Sequence, residues 1–197
     1  MAVSSTASNS PIDVCSRALI LIGAEPIASF GDNTNEALVA TNMYEDIARS
    51  SLVNSRWRFA TNQVVLNRLS DAPTGRYDAA YQLPSDWLMT HSVTQNDNPI
   101  EYQVYNDKIF CDVDPTAVLV LDFTFRVNEQ FWPSYFTVAV EYEIATVFAV
   151  SLARDQGLAQ LMGAQAQSSM AKARTLDSQQ QTTRKFSTNR FITNRRT

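Results

Sequence analysis

The chain offers few residues from which a reaction centre could be built. His91 is its one histidine among 197 residues. It stands beside a strand-like run, with no Cys, Asp or Glu at ligand spacing around it, so it reads as a hydrogen-bonding residue and not as a general base or metal ligand. Asp112 and Asp114 form an isolated Asp-x-Asp; a calcium loop needs further oxygen ligands and a central glycine, and neither follows. Glu141 and Glu143 are two apart, so on a helix they do not share a face and cannot work as paired carboxylates. Nucleophilic triads need a base beside the nucleophile, and no nucleophile elbow is present. With 5 glycines, phosphate-cradling loops are scarce: Gly23 and Gly31 suit a helix end and a turn, not a dinucleotide or nucleotide loop. Cys15 and Cys111 are far apart in apolar surroundings. They read as small buried hydrophobes, reduced in a cytosol, that pair only if the fold brings them together. The expectation is no catalytic residue, no metal, no cofactor and no enzyme.

The charge distribution is more informative. Net charge is −4. Residues 1–177 hold all 20 acids and 11 of the 16 bases, a net −9, while residues 178–197 hold Arg184, Lys185, Arg190, Arg195 and Arg196 with no acid, a net +5. An acidic body disfavours wrapping nucleic acid, because phosphate affinity needs a basic surface. A basic tail on an acidic body suggests an arm that docks on something acidic, with Phe186, Phe191 and Ile192 as apolar contacts within it. The alternation Arg56–Trp57–Arg58–Phe59 suits stacking on single-stranded nucleic acid, but Trp57 and Phe59 suit better a structural anchor that locks a helix onto a sheet.

The elements around these residues follow from periodicity. Hydrophobic residues make up 45%, ordinary for a globular chain. No run approaches eighteen consecutive apolar residues, so no membrane span is expected, and the polar start MAVSSTASNSP does not read as a secretory signal. Ser10 caps a first helix with Pro11 at its first position and Asp13 three residues on; it buries Cys15, Ala18, Leu19 and Ile22 and closes on Gly23. A second helix spans about 34–56, with Asn33 as cap, Glu36 reaching back to it, and Leu38, Thr41, Tyr44, Glu45, Ala48, Ser51 and Leu52 at helical three- and four-residue steps. Trp57 and Phe59 then point to one side of an extended segment. Residues 61–132 read as an antiparallel β-meander with short links, with one helical turn at Pro84–Met89 and good alternation over Ile100–Tyr105. Helix returns at Pro133 with a stripe of Phe136, Val140, Ile144, Phe148 and Leu152, off which Glu141 and Glu143 lie. Residues 154–157 interrupt it. A polar, Ala- and Gln-rich helix follows from 158 to about 176, too polar to hold a core alone, so either exposed or covered by a neighbouring chain.

The fold class is therefore α+β. Residues 1–60 and 133–177 make one bundle of two N-terminal and two C-terminal helices, 61–132 a β-rich insertion, and 178–197 an extended basic arm. Physics alone reaches a protein that binds other proteins.

The segments ALILIGAEPIASF, EALVATNMYEDIARSSLVNSRWRFA and YQLPSDWL resemble the tail tubular protein A family, head-to-tail adaptors of short-tailed bacteriophages. In that family the first helix ends in a Leu-Gly-like step before a Pro-containing linker, and the second in a Trp-x-Phe-like segment. Ile22–Gly23, Pro26 and Trp57–Arg58–Phe59 stand at those places. The match covers about the first ninety residues. The resemblance implies a structural virion protein of the tail or neck, assembled in the host cytoplasm. It would form a homo-oligomeric, dodecameric ring between the portal protein and a tail nozzle protein (tail tubular protein B-like), with viral DNA passing unbound through the lumen. It assigns portal binding to Arg184, Lys185, Phe186, Arg190, Phe191, Ile192, Arg195 and Arg196. Two other readings stay open: a tail completion or other connector protein that does not contact the portal, and a nucleic-acid-binding module using the basic tail.

Overall fold

A computed structural model describes residues 9–70, 73 and 75–180. It is an α+β fold of four helices and two antiparallel sheets. Helix α1 spans Pro11–Leu21. Its N-terminus is a reciprocal capping box: the Ser10 hydroxyl accepts from the Asp13 N–H, and the Asp13 carboxylate accepts from the Ser10 N–H. Its C-terminus is a Schellman turn, with Gly23 at φ 74° and the N–H of Ala24 reaching the Leu19 carbonyl.

Helix α2 spans Asn35–Val53, later in start and earlier in end than expected. Thr34, not Asn33, is the cap and accepts from the Ala37 N–H, so Glu36 falls in the first turn without completing a box. The buried face is Ala37, Ala40, Tyr44, Ala48, Ser51 and Leu52, with Leu38 exposed. Small residues bring this helix close to its neighbours, and the one large apolar side chain near its start was misleading as a marker of the face. Trp57 is extended, but the segment does not continue so: Arg58–Ala60 is a single 3-10 turn.

The insertion holds strands β1 (Thr61–Val65), β2 (Ala79–Gln82), β3 (Trp87–Gln95), β4 (Asn98–Pro99), β5 (Gln103–Tyr105), β6 (Lys108–Cys111) and β7 (Leu119–Phe125). All their pairings are antiparallel, but they do not run in meander order. One sheet is ordered β1-β7-β3-β4 and the other β2-β6-β5. Local pattern marks each strand; it does not say which partner each finds, and β7, with Leu119, Leu121 and Phe123 all facing inward, takes the place between β1 and β3. The expected helical turn at Pro84–Met89 is a tight turn closed by the Trp87 N–H on the Pro84 carbonyl, after which β3 begins. Of Ile100–Tyr105 only the last three residues are strand, although Ile100, Tyr102 and Val104 do share the inner face. The β3–β4 hairpin turns on Asn96 and Asp97, both at positive φ.

Helix α3 spans Ser134–Phe148, with Pro133 as its cap and not its first residue. A π-helical turn, Ala149–Ala153, and Arg154 in the left-handed region fold the chain back into α4, Gln156–Gln179, capped by Asp155. Ser134–Ala153 is the one described segment long and apolar enough to cross a membrane, at a mean hydropathy of 1.5. Half of it is buried, where α3 packs against α1, α2 and α4. An apolar helix at the centre of a bundle has that composition, because neighbours cover it on several sides.

Two corrections concern the bundle's polar residues. Glu141 and Glu143 are drawn between helices: Glu141 pairs with Arg17 of α1, and Glu143 accepts from the Ser51 hydroxyl of α2. Helix α4 does have an inner face. It is Ala159, Met162, Ala166, Met170, Ala173 and Asp177, three alanines that allow close approach to α3 with two flexible methionines between them.

Candidate docking site at the helix–sheet junction

The two halves meet around Trp57. Its ring is fully buried, with Phe136 edge-on at 5.0 Å between centroids and Phe59 at 6.0 Å. Phe136 also meets Phe59 at 4.9 Å and Trp132 at 5.0 Å. The Trp57 indole N–H donates to the Ser51 carbonyl at 2.9 Å, satisfying one of the carbonyls that the end of α2 leaves unpaired. Trp57 and Phe59 thus reach one aromatic cluster although the backbone between them is turned.

Beside this cluster lies an ionic network. Arg126, just after β7, donates to both carboxylate oxygens of Glu45 on α2, at 2.9–3.3 Å, and also to Glu129. The buried Glu129 accepts from the Tyr44 hydroxyl at 2.8 Å. Burial by itself would lower the Arg126 pKa; the two carboxylates more than reverse it and hold the guanidinium charged. Burial, reinforced by Glu129, pushes the Tyr44 phenol well above its usual range, so it stays a donor.

A second polar knot fixes the end of α4. Asp177 is 4% exposed. Its carboxylate accepts from the Arg58 N–H and from the Tyr135 hydroxyl, each at 3.0 Å. The Arg58 side chain returns a bond to the Asp177 carbonyl at 3.1 Å, and the Gln180 amide donates to the Tyr135 oxygen at 3.3 Å. A carboxylate in the last turn of a helix opposes the helix dipole; here the bonds from outside the helix compensate. Burial, then Asp177, pushes the Tyr135 phenol up to about 12. Sequence reasoning missed this knot. Its signal was available: Asp177 is the last acid before a wholly basic segment, at the unfavourable end of a helix.

Next to the knot, Phe59, Asp86, Phe125, Arg126, Val127, Asn128 and Phe131 line an open groove of about 560 Å³. Phe131 stands 67% exposed at its rim. This aromatic was also missed.

The residues weighed for catalysis are scattered. His91 bonds Thr124 through Nε2 at 2.8 Å; burial and then Arg56 hold its pKa below the ordinary histidine value. Arg56 pairs with Asp122. Asp112 accepts from the Asp78 N–H, and Asp114 from the N–H and hydroxyl of Thr116, so these carboxylates brace turns. None of these bonds links His91, Asp112 and Asp114 to one another, and among the described residues no group of His, Cys, Asp and Glu could hold a metal ion. Cys15 and Cys111 are buried, one in each half's core. Burial pushes the Cys15 thiol up to about 12. Arg184, Lys185, Phe186, Arg190, Phe191, Ile192, Arg195 and Arg196, expected to bind a partner, lie outside the described residues. Compared with known protein families and with curated proteins, the chain matches none.

Proposed function

We propose that this chain is a structural connector of a short-tailed phage virion, an adaptor resembling tail tubular protein A that joins the portal to the tail nozzle. The observation that carries the reading is the knot at Asp177. A buried carboxylate, a phenol and a backbone N–H hold the last turn of α4 to the helix–sheet junction, and the net +5 segment begins within a few residues of it. Such a root gives a basic arm a defined starting point on an acidic body, which suits docking on an acidic partner surface. In the ring that the resemblance implies, the arm reaches the portal, and the net acidic body lets DNA pass without adhering, provided the lumen itself is not basic. No catalytic, metal or cofactor role enters this reading.

The test is truncation after Gln180, which leaves α4 and its bonds to Tyr135 whole. Affinity for a purified portal ring is expected to fall at least tenfold; unchanged affinity would remove the arm from the docking account. A nucleic-acid-binding module would instead bind DNA through the same segment, with affinity falling steeply as salt rises.

A further inference from the structure

The edge of a sheet exposes backbone donors and acceptors, and folds ordinarily blunt it. Three edges here are blunted. Strand β4 is two residues long and ends on Pro99, and β5 is three residues long. The outer edge of β2 is covered, since the N–H of Leu69 reaches the Ala80 carbonyl and that of Gln82 the Asn67 carbonyl. Strand β1 is the exception among the described residues. It is the other edge of its sheet, and its sequence Thr-Asn-Gln-Val-Val holds neither charge nor proline. Val64 and Val65 point to opposite faces and are 36% and 55% exposed.

The pairing with β7 fixes which groups face outward. Thr61 lies opposite Thr124 and Val65 opposite Val120, and the N–H of Leu66 donates to the Leu119 carbonyl in the same register. Bonded pairs alternate along an antiparallel ladder. Asn62, Val64 and Leu66 therefore bond to β7, while Gln63 and Val65 turn N–H and C=O to the open side. The Gln63 N–H accordingly donates to the Asn62 side chain at 2.8 Å and not to a β7 carbonyl, a local bond that an incoming strand can replace. The Thr61 N–H is taken by the Arg58 carbonyl. Donor and acceptor together remain for a partner at Gln63 and Val65, with Val64 between them.

That pattern is its own complement. Two copies of β1 laid antiparallel about a two-fold axis at Val64 set Gln63 of each against Val65 of the other, and each such pair exchanges N–H and C=O. Val64 meets its own counterpart across the axis in a non-bonded pair, where side chains come closest. Because the strand is uncharged, two copies of an acidic chain oppose no like charges there, whereas a charged foreign strand would find no counter-charge on β1.

We infer that two copies of this chain pair through β1 in concentrated solution, joining their β1-β7-β3-β4 sheets edge to edge. Five residues a side bury little area, so the pair separates on dilution. The contact is isologous, whereas a ring with unlike faces repeats one heterologous contact. The inference thus goes beyond the connector reading and stands or falls without it.

The experiment is sedimentation equilibrium of the full chain over a concentration series, joined to disulfide cross-linking of variants on non-reducing gels. Cys15 and Cys111 are buried and do not compete. The expected result is a reversible monomer–dimer equilibrium. Under mild oxidation Val64→Cys links two copies at least tenfold faster than Asn62→Cys, which the axis sets against Leu66 and not against itself. Val65→Pro deletes an outward N–H that β7 does not use, and it raises the dimer dissociation constant at least tenfold. A chain monomeric up to its solubility limit would overturn the inference. Equal linking at both cysteine positions would mean random encounter and overturn it too. A dimer indifferent to Val65→Pro would place the contact elsewhere, with the same consequence. If Val65→Pro unfolds the chain, the ratio of the two cysteine rates decides alone.

Discussion

The helical half and the sheet half of this molecule bury apolar residues on different scales. Among the described residues, the bundle core gathers 23 buried apolar residues from all four helices and the junction, while the core between the two sheets gathers 10. The bundle adds one interhelical ion pair, Arg17–Glu141, and a reciprocal cap. The sheet half ends in strand β1, whose last four residues are all exposed and whose outer edge is unpaired among the described residues. At its far end, Arg76, Tyr77, Tyr102, Asp112 and others enclose an open cavity of about 640 Å³. Buried area sets most of a fold's stability, so the bundle is the platform and the sheets are the more easily opened part. Helix α4 ends where the two meet, with Asp177 bonded to Arg58 and Tyr135.

That contrast can be broken most sharply at Trp57. Replacing this fully buried ring with alanine (Trp57→Ala) is expected to cost about 3–5 kcal/mol, and to lower the unfolding midpoint seen by helical and sheet probes together. A loss confined to the sheet signal would contradict a shared junction. Asp177→Ala comes next, at about 2–3 kcal/mol, because it leaves the Tyr135 hydroxyl and the Arg58 N–H without their carboxylate. Hydrogen exchange should rise over the last turns of α4 while the β3–β7 ladder stays protected; equal loosening of both would make the knot a general stabiliser and not a local root.

The pH dependence of the bundle is a finer probe. Burial raises the folded-state pKa of Glu141 and of Glu143 above the ordinary 4.5 despite their bonds to Arg17 and Ser51. The folded state therefore holds more protons than the unfolded one between 4.5 and the raised values, and the contribution of these groups to stability falls as pH rises through that window. Glu143→Gln should flatten this slope and raise stability at neutral pH, measured by denaturant titration at several pH values. An unchanged slope would show that Glu143 is not desolvated. Asp13 and Glu45 oppose this trend at lower pH: the hydrogen bonds from Ser10 and Arg126 lower their pKa values, and their contribution is lost on acidification through those values. The smallest effect belongs to Val65→Thr on the exposed edge, within about 0.5 kcal/mol. A larger loss would mean that β1 is covered in solution.

The legible part of the fold was what one element can specify by itself. Ser10, Pro11 and Asp13 announce the start of α1, Gly23 its end, and Phe136, Val140, Ile144 and Phe148 the inner face of α3. The illegible part needed knowledge of partners. Glu141 and Glu143 look like surface residues until Arg17 and Ser51 arrive from other helices. The faces of α2 and α4 are alanine and methionine, too small or too sparse for a hydrophobic period to mark. The strand order required β7 to close between β1 and β3, a pairing across more than fifty residues. The candidate site was hardest: Tyr135 and Phe131 are ordinary in sequence, and the marks that Asp177 and Arg58 do carry say nothing of the bonds that adjacency gives them.

The connector role is tested most directly by co-sedimenting the full chain with its cognate portal ring at modest salt and imaging the product by electron microscopy. The account predicts a ring of added density on one end of the portal, with the arms traceable from the end of α4 onto portal surface. A folded protein that leaves the portal bare would contradict it.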